Sequence, residues 1–432
     1  MFPLDQSDFV RTRLTHSIEV STVARQLGEM AVQNFRQFLG RQGALPDRAA
    51  ADIPSVLMCS GLLHDLGNPP FGHFGEALIG EWFREHLDAI SYKNRSLRTW
   101  LTPQMARDLE HFEGNAQALR ILAKARHAGE TNLTFAVMGT LIKYPTDSLS
   151  FDRTAPELCR HKLGYFAAEE RVFRQITDAL GTCDPSGQVC RHPLTYLLEA
   201  ADDIAYATAD LEDALKKELF TLDEFLAFFR AGYGSETPEA HTQADYTNRL
   251  YEDLIRRRRE SPTPESDASD FRGWLGLVRR WLMYCAVFRF SNSCQEILAG
   301  TFQQDLFWET NHSLTIRLLK EAMAHYAYDS AGIVRLELAA HSTLTFLLDR
   351  LVRAVLYQDE GYRDREQGFV PSSVDKKYLR ILPAAYLQDY WAARTGDEGE
   401  DLYRRLLVVT DFLSGMTDSY ARRLYREVSG IE

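Results

Sequence analysis

Apolar residues recur at spacings of three and four along most of the chain, the period of one face of a helix. Residues 16–39 (HSIEVSTVARQLGEMAVQNFRQFL), 194–220 (LTYLLEAADDIAYATADLEDALKKELF) and 335–357 (RLELAAHSTLTFLLDRLVRAVLY) carry this pattern. Strict alternation is scarce, and one short hairpin is expected near HKLGYF, residues 161–166. Gly and Pro break the helical pattern at GNPPFGHFGE, a turn over residues 67–76. Residues 144–159 and 181–193 read as loops. Residues 234–247 and 260–270 are polar and carry Pro and Ser, which predicts mobile, solvated insertions. No segment repeats at a fixed period, so a helical solenoid is excluded. The pattern predicts an all-α, mainly helical protein. The groups able to do chemistry fall before Gly234, which predicts a core module over residues 1–234. A helical region over 235–432 packs on it, with polar insertions near 235–248 and 260–270.

Composition narrows the function classes. The hydrophobic fraction of 45% and aromatic fraction of 11% belong to a folded globular protein. Lys and Arg number 49 against 61 Asp and Glu, a net charge of -12. A surface of that sign repels duplex nucleic acid at long range. A polyanionic substrate would therefore need a metal and a few placed cations to draw it in. The run Arg256 to Arg259 borders a polar insertion and reads as a solvated face. None of the six cysteines forms a C-x-x-C pair, which argues against a zinc knuckle or a thioredoxin motif. Scattered cysteines fit a reducing compartment. No apolar run reaches the ~18 residues that span a bilayer, and MFPLDQSDFVRTR lacks the order of a secretory signal. A cytoplasmic protein away from membranes is expected.

The candidate chemistry is a set of distant His and Asp residues. His16 stands early in a helix, in RTRLTHSIEV. His64 and Asp65 are adjacent in CSGLLHDLGNPPFGH, and Asp202 lies in LLEAADDIAY. Two imidazoles and two carboxylates can hold one divalent metal through N and O atoms. On an octahedral ion they leave two positions for water or a phosphoryl oxygen. This donor set favours Mn, Fe, Co or Ni over Mg in affinity, while supply can still decide for Mg2+ or Mn2+. Leu62 and Leu63 anchor the helix ahead of the pair, and Gly67-Asn68-Pro69-Pro70 stops it. An HD dipeptide alone is common by chance; the full string and its ordered partners make it informative.

RTRLTHSIEV, GLLHDLGNPPFGHFGEAL, HFEGNAQALRIL and LLEAADDIAYATADLEDA, in that order, resemble the successive blocks of bacterial deoxyguanosinetriphosphate triphosphohydrolases. SGMTDSYARRLY resembles the closing block, so the likeness runs from about Phe2 to Tyr425. The resemblance implies a helical HD-domain fold that hydrolyses a deoxynucleoside triphosphate (dNTP) to deoxynucleoside and tripolyphosphate. It implies metal ligands at His16, His64, Asp65 and Asp202. Asp202, Tyr206 and Asp210 share one helix face at a spacing of four, which selects Asp202 over Asp203. Tyr206 and Asp210 match the family's deoxyribose contacts. His73 and Glu76, three apart, match a catalytic dyad that primes water. His111 matches a histidine near the leaving oxygen, a candidate general acid, with Glu113 and Gln117 on the same wall. Arg13, Lys143, Tyr144 and Lys162 match contacts to the phosphates.

The resemblance further implies a homo-oligomer, tetramer or hexamer, and a possible effector, either single-stranded DNA or a dNTP. Family members carry an N-terminal arm ahead of the FPLDQSDFVRTRLTHS block that contributes to the nucleoside pocket. This chain begins within that block, which leaves base preference open. Two other readings keep the metal set: another HD-domain nucleotide phosphohydrolase, and a non-hydrolytic sensor of dNTPs or single-stranded nucleic acid. The first does not account for the Tyr206–Asp210 face, HFEGNAQ and SGMTDSYA, and the presence of all four ligands argues against the second.

Overall fold

The computed structural model describes residues 11–39, 46–129, 131–184, 187–234, 241–260, 264–328, 331–356 and 372–431. The FPLDQSDFV part of the opening block lies outside them. Among the described residues there are eighteen α-helices, short 3-10 and π turns, and one two-stranded sheet. The long helical patterns are helices: Arg13–Asn34 with its π-helical continuation Phe35–Leu39, Pro193–Lys216, and Ala331–Leu356.

Local chemistry starts the helices that matter for function. Thr12 and Thr15 form a reciprocal capping box ahead of Arg13–Asn34, so His16 sits in its first turn. Pro193 opens Pro193–Lys216 at a position where its missing N–H costs nothing, and the His192 ring accepts from the Leu194 amide. Arg11 ties these two helices together. Its guanidinium meets Asp213 at 2.6 Å, Glu212 at 2.8 Å and Glu19 at 2.9 Å. The helices Arg13–Asn34 and Asp47–Leu63 cross in direct contact at Gly61. A Cβ there would stand 2.7 Å from Ser21 Cα, so only glycine permits the approach.

Two apolar clusters fill the interior. The first joins Val20, Leu27, Leu57, Ala201, Ala205 and Trp274. The second joins Ile79, Phe83, Leu344, Leu348, Leu406 and Ala421. The helix Gly72–His86 feeds the second cluster, whereas the helices bearing His16 and Asp202 feed the first. The candidate site therefore lies along the seam between them.

Two expectations need correction. HKLGYF forms no hairpin; the hairpin pairs Ser91–Tyr92 with Arg95–Ser96 around Lys93 and Asn94, both at positive φ. Residues 161–166 instead run against the loop at residues 144–146, where Gly164 N–H donates to the Thr146 carbonyl at 2.9 Å. The polar segments are largely helical, because helices begin at His241 and Pro264; residues 235–240 and 261–263 lie outside the described set. Apolar anchors just downstream, Leu250, Leu254, Phe271 and Trp274, draw both helices onto the core. Within the arginine run, Arg256 and Arg257 pair with Asp253 and Arg258 with Asp223, so the run is largely neutralised.

A buried ionic network joins the helices Gly114–His127 and Glu398–Ser414. Arg120 meets Asp411 at 2.7 and 2.9 Å and Glu169 at 2.6 Å. Lys124 reaches the same aspartate at 2.6 Å. Removing one partner of such a buried pair strands the other charge. Asp411→Ala should lower the unfolding free energy by about 3–5 kcal/mol, read from urea denaturation; a loss within about 0.5 kcal/mol, the range of an ordinary surface substitution, would contradict the network's role.

Candidate active site

Asp202 is the centre of the site. Its Oδ1 lies 3.4 Å from His16 Nε2 and 3.4 Å from His64 Nε2. The two imidazole rings are 5.5 Å apart. His64 Nδ1–H donates to the Gly61 carbonyl at 2.8 Å, which fixes the tautomer and leaves the Nε2 lone pair facing Asp202. His64 Nε2 and His16 Nδ1 are buried atoms with no hydrogen-bond partner. Donor atoms of His16, His64 and Asp202 lie within 4.8 Å of one another. The buried, unsatisfied His64 Nε2, with His16 Nε2 and the Asp202 carboxylate beside it, is what a divalent cation would complete, so these residues fit the metal expected of them. Asp65 stands at the edge of this trio. Its Oδ1 is 3.7 Å from His64 Nε2 and accepts from Asn68 Nδ2 at 2.6 Å.

The charges of this group support one another. Burial alone would raise the Asp202 pKa, yet His64 and Lys143 bring it well below the usual carboxylate range. Burial alone would lower the His64 pKa, yet Asp202 and Asp65 carry it upward. Lys143 Nζ sits 3.3 Å from the other Asp202 oxygen. Asp203, on the next helical position, turns to Lys320 Nζ at 2.7 Å. Its burial, only partly offset by Lys320, pushes its pKa up to about 6.

The Gly72–His86 helix presents the second group. His73 Nδ1 is 2.6 Å from Glu76 Oε2, and Glu76 Oε1 accepts the Gly114 amide at 2.7 Å. The Glu76 side chain is buried while the His73 ring is 78% exposed. The hydrogen bond to Glu76 raises the His73 pKa. Burial opposes ionisation of Glu76, but the His73 bond and charge win and its pKa falls.

Two cavities meet at these residues, sharing Asp65, Asn68, His73, Asp202 and Asp203. One, of about 420 Å3, is lined by Lys143, Tyr144, Lys162 and Arg191. The other, of about 570 Å3, is lined by His16, Phe74, Tyr206, Asp210, Leu336 and Glu337. The first gathers three cations, Lys143, Lys162 and Arg191, among five carboxylates, and the second is largely apolar.

The structure does not gather every expected residue. Arg13 lines the larger cavity, and its guanidinium donates to the carbonyls of Asn68 at 3.2 Å and Pro69 at 3.0 Å. Lys162 is held by Glu113 at 2.9 Å. His111 lines neither cavity; its ring packs against Phe151 at 4.9 Å, and burial with nearby Arg107 lowers its pKa. Gln117 donates to Asp411 in the buried network, away from the wall it was expected to share with Glu113. Sequence reasoning missed Arg191, which donates to the Lys143 carbonyl at 2.7 Å, pairs with Glu199 at 2.8 Å and lies over the Tyr144 ring. A lone arginine in a loop carries no pattern; only its place just before the Pro193 helix could have drawn notice. Asn68 was also missed, although it stands inside the HDLGNPPFGH string.

Residues 13–112 match the HD domain, and residues 376–427 match the phosphohydrolase-associated domain. A deoxyguanosinetriphosphate triphosphohydrolase-like protein of Listeria monocytogenes is 41% identical, across 100% of this chain and 89% of its own. One of Pseudomonas aeruginosa is 32% identical across 99% of this chain and 88% of its own. A deoxyguanosinetriphosphate triphosphohydrolase of Serratia proteamaculans is 29% identical across 100% of this chain and 90% of its own. With the HD motif's histidines gathered around Asp202 and relatives matched along its full length, the chain belongs to the deoxyguanosinetriphosphate triphosphohydrolase-like family of HD-domain hydrolases.

Proposed function

We propose that the protein hydrolyses a dNTP to deoxynucleoside and tripolyphosphate with the help of a divalent metal. The observation that carries this reading is the pair of unlike cavities sharing one wall. A cavity on which three cations converge suits a triphosphate, and an apolar one with a tyrosine suits a nucleoside. The α-phosphorus then falls at the shared wall, beside His73 and Asp202.

His16, His64 and Asp202, with Asp65 at the edge, would hold the metal. Mn2+ or Mg2+ is the expected ion, with Fe, Co or Ni also suited to imidazole and carboxylate donors. When bound, such a metal polarises a phosphoryl oxygen and acidifies water. Glu76 holds the His73 Nδ1 proton, so Nε2 is the free base that takes a proton from the attacking water. Lys143, Lys162 and Arg191 steady the phosphate charge, with Tyr144 beside them. Tyr206 and Asp210 line the sugar side, where a bulky wall excludes a 2′-hydroxyl. Attack at the α-phosphorus breaks its bond to the 5′-oxygen, which regains a proton from water in the open cavity. His111, off both linings, has no part in this reading.

The wider expectation is a cytoplasmic, self-associating enzyme, with single-stranded DNA or a dNTP as effector. Among the described residues, no helix is long and apolar enough to cross a membrane. Trp281, Tyr284 and Phe288 expose one aromatic face of Pro264–Asn292, which supports self-association.

A panel of the four dNTPs and GTP, assayed with Mn2+, should release one tripolyphosphate per deoxynucleoside by ion chromatography. Pyrophosphate or orthophosphate as the primary product would reject the reading. His64→Ala should weaken Mn2+ binding more than about 100-fold, a loss beyond that of supporting residues, and abolish turnover; calorimetry reads the first. His73→Ala should lower kcat about 100- to 10,000-fold. Because Glu76 raises the His73 pKa, the neutral base appears only above the ordinary imidazole value, and the rate climbs with pH through that raised value. In Glu76→Gln the acid limb of the kcat profile should move to lower pH. An unmoved limb would remove His73 as the titrating base.

A further inference from the structure

The turn that leads into the dyad helix is unusual in its backbone. Phe71 has φ 68° and Gly72 has φ 60°, two consecutive left-handed residues directly before His73. Gly72 adopts that region freely, but Phe71 does so against its own Cβ. A residue held there needs its surroundings to hold it. The chain cannot relax this turn without rotating the start of the helix, and His73 is the second residue of that helix.

The restraint comes from the far end of the chain. The Phe71 amide donates to Asp418 Oδ1 at 2.7 Å. The same oxygen receives Arg13 at 3.4 Å, and Arg13 also clasps the Asn68 and Pro69 carbonyls. Asp418 is the first residue of Asp418–Ser429, a helix capped by Thr417, where an anionic side chain is favoured by the helix dipole. Its side chain is 12% exposed. Residues 376–427 are the phosphohydrolase-associated segment, so this contact links that segment to the HD domain.

We propose that Asp418 is a positioning residue: its carboxylate holds the left-handed Phe71–Gly72 turn closed and thereby aims His73 at the wall shared by the two cavities. The inference rests on the proposed reaction for its kinetic consequence, but the clamp itself is a property of the substrate-free protein. Asp418 acts through Phe71 and His73, so its loss falls on kcat while KM stays nearly constant. A carboxylate that instead touched the substrate would act on KM.

Asp418→Ser keeps a polar helix start and is too short to reach Phe71. Asp418→Asn retains an oxygen that can accept the Phe71 amide. Hydrogen exchange of the peptide spanning residues 66–76 is read by mass spectrometry in full-length, substrate-free protein, alongside kcat, KM and Mn2+ affinity. The expected result for Asp418→Ser is faster exchange at Phe71 and a kcat lower by about 10- to 100-fold, the scale of a small misplacement. KM should stay within about 3-fold, under 1 kcal/mol of binding, and Mn2+ affinity should be unchanged. Asp418→Asn should recover the protection and most of kcat. Unchanged exchange in Asp418→Ser overturns the clamp, as does a raised KM with kcat intact, or an Asn variant as impaired as the Ser variant. Wild-type protein that releases no tripolyphosphate overturns the functional reading alone, and the exchange measurement still decides the clamp.

Discussion

The Asp202 carboxylate, set between two buried imidazoles and a lysine, is the interaction on which the rest of the structure depends. A carboxylate there is costly unless opposite charges and hydrogen bonds surround it. Lys143 supplies a charge and a hydrogen bond, and His16 and His64 turn their Nε2 atoms toward the carboxylate, from three other parts of the chain. The arrangement exists only if three helices meet within hydrogen-bonding distance of one point. That requirement accounts for the glycine contact at Gly61 and for the run of buried alanines, Ala200, Ala201, Ala205 and Ala207, on the Asp202 helix. It also accounts for the Arg11 brace between the helices bearing His16 and Asp202. The packing serves the convergence, and the two cavities are what remains open around it.

Sequence reading succeeded where the physics is local or strongly periodic. The Asp202 helix follows from spacing, and its observed limits, Pro193–Lys216, lie close to the pattern seen over 194–220. The fourfold stripe of Asp202, Tyr206 and Asp210 does open on one cavity, because a helix cannot do otherwise with that spacing. Reading failed where a partner distant in sequence decides. Arg13, matched to a phosphate contact, does line a cavity with His16, but carbonyls of the 68–69 turn and Asp418 hold its guanidinium. His111 stood in a family motif, yet it ends the Pro103–Glu110 helix with its ring against Phe151. The polar stretches before residues 248 and 271 looked like insertions because composition was weighed above the apolar anchors that follow. HKLGYF was expected to form a hairpin, but its backbone partner is the neighbouring loop.

The seam between the two apolar clusters explains why the C-terminal helices matter to chemistry far away in sequence. His73 and Glu76 belong to a helix packed in the second cluster, and that cluster is completed by residues from 340 to 424. Moving those helices would move the dyad relative to the Asp202 group, which the first cluster holds. The Arg120–Asp411 network and the Asp418 contact both cross from the HD region to these helices. The first fixes the docking of the helices, and the second fixes one turn beside the site. A site built across such a seam has its two halves set independently, so its geometry is only as firm as those crossing contacts.

The cavity that gathers Lys143, Lys162 and Arg191 poses a related problem of charge. Three cations crowded beside a site would repel one another before any anion arrived. Each already has a carboxylate partner: Lys143 with Asp202, Lys162 with Glu113, and Arg191 with Glu199. The pairs keep the cavity formed without phosphate, and they keep the cations pointed at a common volume. On the proposed reading, an arriving triphosphate must compete with those carboxylates. Glu113 is the partner most easily released, since burial and the charge of Glu76 already raise its pKa. Asp202 is the least, since its charge is held by both imidazoles as well. Lys162 is therefore the cation freest to turn toward phosphate, while Lys143 stays with Asp202 and anchors the end of the cavity nearest the metal group. On the proposed reading, an acidic protein takes an acidic substrate by exchanging one anion for another at preset cations, without a basic surface to attract it.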